Sequence, residues 1–229
     1  MSMPFYVPPE QAMKDRADYA RKGIARGRSL IGLVYDDGVV IAAENPSNTL
    51  RKISEIYDRI AFAGVGRYNE FDQMRVAGVR AADIKGYQYS REDVDARALA
   101  NAYAQLLNNV FTHEMKPMEV EILVAEVAEG EQHGDDQLYR ILYDGTVVDE
   151  ENFTVLGGEA ETIAERLQTA FSAGMDLGAA LRAAVSALAG PDRTLTASDL
   201  EVAVLARSNG RRAFKRIRDG DLEALLTKP

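Results

Sequence analysis

The chain has 229 residues, of which 46% are apolar and 28% charged, and a formal net charge of −9. That is globular composition in a length that buries a full core without covalent staples. It contains no cysteine, which excludes disulfides, thiolate zinc sites, iron–sulfur clusters and a cysteine nucleophile. The acidic balance argues against nucleic acid and anionic membranes as partners.

The opening segment Met1–Pro9 is short and apolar, with three prolines and two aromatics, and lacks the charged region or cleavage site of a secretory signal. No run approaches 18 apolar residues, so no bilayer span is expected and the chain reads as cytoplasmic. A helix follows over 8–27, opened by Pro8-Pro9-Glu10 and stopped near Gly27. Its stripe Met13, Ala17, Ala20 and Ile24 is narrow, so the helix needs a partner surface. Leu30–Tyr35 and Val39–Ala43 predict a hairpin across Asp36-Asp37-Gly38. Ile53–Tyr57 and Arg59–Val65 predict two more strands, and their closeness in sequence places all four in one antiparallel sheet.

Two helices are expected next. The first, 67–87, carries small residues Ala77, Gly78, Ala81 and Ala82 that admit close approach. The second, 91–114, has an apolar stripe of Val94, Ala98, Leu99, Ala102, Tyr103, Leu106, Val110 and Phe111. A second strand set covers 120–127, 137–143, 145–148 and 152–156, with 129–136 as a solvated acidic loop. Helices over 159–171 and 176–189, a hairpin of 201–207 with 212–217, and a closing helix at 219–226 complete the chain. Two strand sets separated by helix pairs give an α+β fold: a four-layer αββα sandwich of two antiparallel sheets flanked by helix pairs, plus the N-terminal helix.

Few residues suggest chemistry. Gly64-Val65-Gly66 and Gly157-Gly158 precede helices and read as tight strand-to-helix turns rather than phosphate cradles. The basic tract 207–218 reads as a hairpin with a solvated charged face rather than a nucleic-acid site. Glu44, Glu114, Glu119 and Glu121 read as solvated carboxylates, and His113 and His133 as surface residues. No metal site and no cofactor are expected. Lys52, after the polar loop 45–48, is either solvated or a point charge offered to an incoming carboxylate, and spacing does not decide which.

Several motifs in order carry a family likeness: PPEQAM at 8–13, YARKGIARG at 19–27, AENPS at 43–47, RKISE at 51–55, NEFD at 69–72, Gly86-Tyr87, Leu99-Ala100-Asn101 and LEVAVL at 200–205. Together they resemble the α-type subunits of the proteasome core particle, its actinobacterial branch above all. The resemblance implies the same αββα sandwich. It also implies three segments: 1–7 as a gate, 8–27 as the N-terminal helix, and 28–229 as one sandwich domain.

The β-type subunits of that family are hydrolases with an amino-terminal threonine. Arg28 stands where that threonine would be, with Glu44 and Lys52 near the supporting acid and lysine positions. The resemblance therefore implies no catalytic residue. It implies a ring of seven copies on a ring of β subunits, a pore gated by Pro4, Phe5, Tyr6 and Val7, protein substrates in transit, and a hexameric ring ATPase as activator. The activator's C-terminal tail would enter a pocket with Lys52 at its floor, Gly27 and Gly66 beside it, and Asp18 and Arg67 near it. Arg67 departs from the apolar residue common there in archaeal relatives, and the C-terminus is shorter than in many actinobacterial ones. The competing reading, a self-contained amidohydrolase of the same architecture, requires a nucleophile at the start of the first strand.

Overall fold

The computed structural model describes residues 8–128 and 136–227. The gate residues Pro4, Phe5, Tyr6 and Val7, most of the acidic loop with His133, and the last two residues lie outside them.

Helix α1 (Pro9–Ile24) begins with proline at its first position, where the missing amide is no loss. Strands β1 (Leu30–Tyr35) and β2 (Gly38–Glu44) follow, then β3 (Ile53–Tyr57) and β4 (Ile60–Gly66). Helices α2 (Tyr68–Gln88) and α3 (Ala96–His113) precede β5 (Val120–Glu126), β6 (Gln137–Ile141), β7 (Val147–Glu150) and β8 (Phe153–Leu156). Then come α4 (Ala160–Ala170), α5 (Leu177–Ala189), β9 (Leu200–Ala206), β10 (Phe214–Ile217) and α6 (Asp219–Thr227).

The strands form two five-stranded antiparallel sheets, ordered β10-β9-β2-β1-β8 and β3-β4-β5-β6-β7. The four-layer sandwich is therefore present, but the first four strands do not share a sheet as their closeness suggested. The two hairpins are tight; the eight residues 45–52 between them are long enough to cross from one sheet to the other. Likewise β8 leaves its neighbours in sequence and pairs with β1, Leu30 opposite Leu156.

Three apolar layers follow from this. Ile31, Leu33, Leu181, Ala184 and Leu188 pack the first sheet against α4, α5 and α6. Leu30, Val39, Ile41, Ala61, Ala63, Leu123 and Leu205 fill the space between the sheets. Phe62, Met74, Leu99, Tyr103, Leu107, Ile122 and Val124 join the second sheet to α2 and α3. Fully burying such side chains contributes about 1.5–3 kcal/mol each.

The second helix of the middle pair starts later than expected. Residues Arg91–Asp93 form a separate 3-10 turn, and Asp95 caps α3 by accepting from the Ala98 amide at 2.7 Å. Its buried face is Ala96, Leu99, Ala100, Tyr103 and Leu107. Ala98, Ala102 and Leu106, expected to be inside, form an exposed stripe about 100° round the helix from the buried one. Met13 on α1 is also exposed, at 40%, so α1 keeps an uncovered apolar edge. No helix among the described residues is long and apolar enough to cross a membrane.

Candidate functional site at the head of the first strand

Residues 25–29 carry the chain from α1 into β1. The Gly27 amide donates to the Ile24 carbonyl at 2.8 Å, which ends the helix. A Cβ on Gly27 would fall 2.8 Å from Val65 and 3.0 Å from the Gly66 amide nitrogen, so only glycine lets this turn lie on the end of β4. Gly66 has φ +112°, and a Cβ there would sit 1.9 Å from the Glu119 carbonyl oxygen. Both glycines are thus required by close approach, in keeping with a tight turn at Gly64-Val65-Gly66.

Lys52 ends the crossing loop. Its ammonium donates to the Arg28 carbonyl, and its own carbonyl accepts from the Gly64 amide at 3.1 Å. Burial draws the amine down to about 8, opposed by the charges of Glu201 and Glu44 and reinforced by Arg28. An ammonium has three donors; among the described residues the Arg28 carbonyl takes one, which leaves two for a ligand oxygen.

Three acidic residues organise the surroundings. Glu44, at the end of β2, faces Arg28 at 3.3 Å and accepts two hydrogen bonds from Arg193, at 3.1 and 3.2 Å. Glu201 on β9 is 3% exposed and accepts from the amides of Lys52 at 2.8 Å and Ile53 at 3.2 Å, from Asn45 Nδ2 at 2.8 Å, and from Arg216 at 2.6 Å. Glu119 lies beneath Gly66 and pairs with Arg67 at 3.3 Å and Lys116 at 3.0 Å.

These contacts correct the expectation of solvated carboxylates. Glu44, Glu119 and Glu121 are buried, the last paired with Arg140 at 2.6 Å, and only Glu114 is exposed. The basic tract keeps the exposed face expected of it at Arg211, Arg212, Lys215 and Arg218, with Arg212 preceding its strand and pairing with Glu55 at 2.6 Å. It is corrected at Arg216 alone of the two arginines expected on that face, which is half-buried and held by Glu201 at 2.6 Å.

Lys52, Arg28, Gly27, Gly66 and Arg67 thus gather where α1, β1, β3 and β4 meet. Asp18 does not join them by any hydrogen bond or ion pair among the described residues; it pairs with Arg21 at 3.6 Å on its own helix. His113 is on the surface, its Nδ1 3.2 Å from the Asn109 carbonyl. Glu201, Arg193 and Asn45 do not stand out in the sequence. The signal available was a lone carboxylate inside the apolar run LEVAVLA, because a buried charge demands partners. Among the described residues, no hydrogen bond joins Lys52 or Glu44 to a hydroxyl, and no group of three or more histidine, aspartate or glutamate side chains is arranged for a metal. The arrangement suits recognition of a carboxylate.

The proteasome subunit family model matches residues 24–205, about four-fifths of the chain. The chain belongs to the proteasome subunit family. A protein named proteasome subunit alpha from Acidimicrobium ferrooxidans is 62% identical over all of this chain and 98% of its own length. Those of Sanguibacter keddieii and Thermomonospora curvata are 58% and 56% identical, again over the whole chain and over 91% and 99% of their own. Within the proteasome subunit family the chain is of the α type, of the actinobacterial branch, and α1 in front of β1 is the extension that the N-terminal motifs led to expect.

Proposed function

We propose that the chain is a non-catalytic, gate-forming α subunit of a cytoplasmic proteasome core particle. Seven copies close an outer ring on a ring of β subunits. Residues 1–7 act as the gate, with Pro4, Phe5, Tyr6 and Val7 meeting at the axis; 8–27 form the rim helix, and 28–229 one sandwich domain. Proteins destined for degradation pass through the ring.

The observation that supports this reading is Arg28. It stands at the head of β1 beside Lys52 and Glu44, and helix α1 precedes it, so it has no free α-amine; the resemblance makes this position the counterpart of the β-type threonine. A guanidinium does not attack a carbonyl, and the threonine-plus-amine pair is missing. Lys52 then acts as a receptor: its ammonium receives the terminal carboxylate of a ring-ATPase tail, flanked by the main chain at Gly27 and Gly66, with Arg67 and Asp18 at the margin.

The test is peptide hydrolysis by the chain assembled with its β partner, with and without residues 1–7. The truncated complex is expected to cleave short peptides several-fold faster. Equal rates overturn the gate, and amide hydrolysis by the purified chain alone restores the amidohydrolase reading.

A further inference from the structure

The crossing loop that carries Lys52 hangs on one buried side chain. Glu201 belongs to the first sheet, while Lys52 and Ile53 open the second. Its Oε2 takes the Lys52 amide and the Asn45 side chain, both at 2.8 Å; its Oε1 takes the Ile53 amide at 3.2 Å and Arg216 at 2.6 Å. Asn45 also donates to the Leu50 carbonyl at 2.8 Å, so both ends of the loop are tied to this carboxylate. Arg216 closes the arrangement by donating to the Ile53 carbonyl.

We propose that Glu201 is the positioning residue of the Lys52 site: it fixes the main chain that presents the amine, and it sets a buried carboxylate behind it. The proposal deepens the docking role above and rests on it for its biological meaning.

Four influences set the charge on this amine. Burial disfavours the ammonium, and Arg28 adds to that; Glu201 opposes it most and Glu44 next. Glu44 is already engaged by Arg28 and by both terminal nitrogens of Arg193. Among the described residues, Glu201 makes its ion pair with Arg216. Removing the Glu201 charge therefore tips Lys52 toward the neutral amine, while removing Arg216 tips it the other way. Merely loosening the structure produces no such opposed pair of effects.

The experiment measures acetylation of Lys52 by acetic anhydride against pH, read by mass spectrometry of the Lys52 peptide from the full chain assembled with its β partner. Wild type is expected to titrate near 8. Glu201→Gln is expected to move the midpoint down by about one pH unit, raising the rate at pH 7 roughly fivefold. Arg216→Gln is expected to move it upward, and it keeps the proposal testable should Glu201→Gln fail to assemble. An unmoved midpoint in an assembled variant, or displacement of both in one direction, overturns the proposal. In parallel, a short peptide with a free terminal carboxylate is compared with its amide for binding to wild type. Equal binding overturns the docking role of Lys52 and leaves the Glu201 coupling readable from the titration.

Discussion

The ammonium of Lys52 donates to the main-chain carbonyl of Arg28, across the gap between the start of β3 and the start of β1. In a hydrolase of this architecture such a lysine would face a nucleophile. Here it faces a peptide oxygen, and its remaining donors are available to a ligand. Lys52→Ala is therefore expected to weaken binding of a carboxylate-terminated activator tail by about 10- to 100-fold, the worth of a charge-assisted hydrogen bond. In wild type the same affinity should fall as pH rises through about 8. A tail titration monitored by fluorescence anisotropy checks both, and unaltered binding removes Lys52 from the site.

Glu121 presents a different balance. Its carboxylate meets Arg140 at 2.6 Å and the Gly157 amide at 3.1 Å, yet burial outweighs both and raises its pKa. The folded state thus binds this proton more tightly than the unfolded state. Stability is expected to rise as pH falls from the raised value toward the ordinary carboxylate range, and to be lost as pH climbs back through that window. Glu121→Gln should flatten this slope, which thermal unfolding of both proteins between pH 4 and 8 would reveal. Identical slopes would contradict the assignment.

Tyr103 is 3% exposed, and its hydroxyl has no hydrogen-bond partner among the described residues. It lies against Gly78, where a Cβ would fall 1.7 Å from the hydroxyl oxygen. A buried hydroxyl without a partner is a cost, so Tyr103→Phe is expected to be neutral or to stabilise by up to about 1 kcal/mol. Urea denaturation gives the answer; a loss of more than about 1 kcal/mol would show that the hydroxyl is satisfied.

Gly66 combines a positive φ with contact against the Glu119 carbonyl. Gly66→Ala is expected to cost at least about 2 kcal/mol and to displace Arg67 and the start of α2. Reduced stability and weakened tail binding should appear together. Native-like stability in the alanine variant would mean that the turn has another conformation open to it.

Much of this fold is legible in the residues, because the strand and helix periods are strong and the turns carry their usual signals. Sheet membership is not. Ile53–Tyr57 follows β2 closely, and nearness in sequence favours pairing, but an eight-residue loop has the reach to change sheets where a two-residue turn does not. In α3 two apolar stripes overlap, one through Leu99 and Tyr103 and another through Ala98, Ala102 and Leu106, and only packing against β5 and β6 selects the first. The start at Asp95, whose side chain accepts from the Ala98 amide, is set by a cap that the expected helix over 91–114 passes over. At the site, Lys52, Gly27 and Gly66 are visible as candidates because charge and glycine stand out. Glu201 is hidden, since residue type alone says that a glutamate is solvated, and its burial depends on Asn45 and Arg216, the first of them far away in sequence.

The contacts from Glu201 and Arg216 to Lys52 and Ile53 also act as a dowel between the two sheets. The interleaf of valine, isoleucine, leucine and alanine coheres strongly but without directional preference, so it fixes the offset of the two sheets less sharply than hydrogen bonds do. Hydrogen bonds of fixed length cannot follow a slide of one sheet on the other. The relative position of the leaves is therefore pinned at the end that carries Lys52. Exchanges that conserve volume deeper in the interleaf can accumulate without shifting the lysine against Arg28, so the interior is free to drift while the geometry at its mouth stays put.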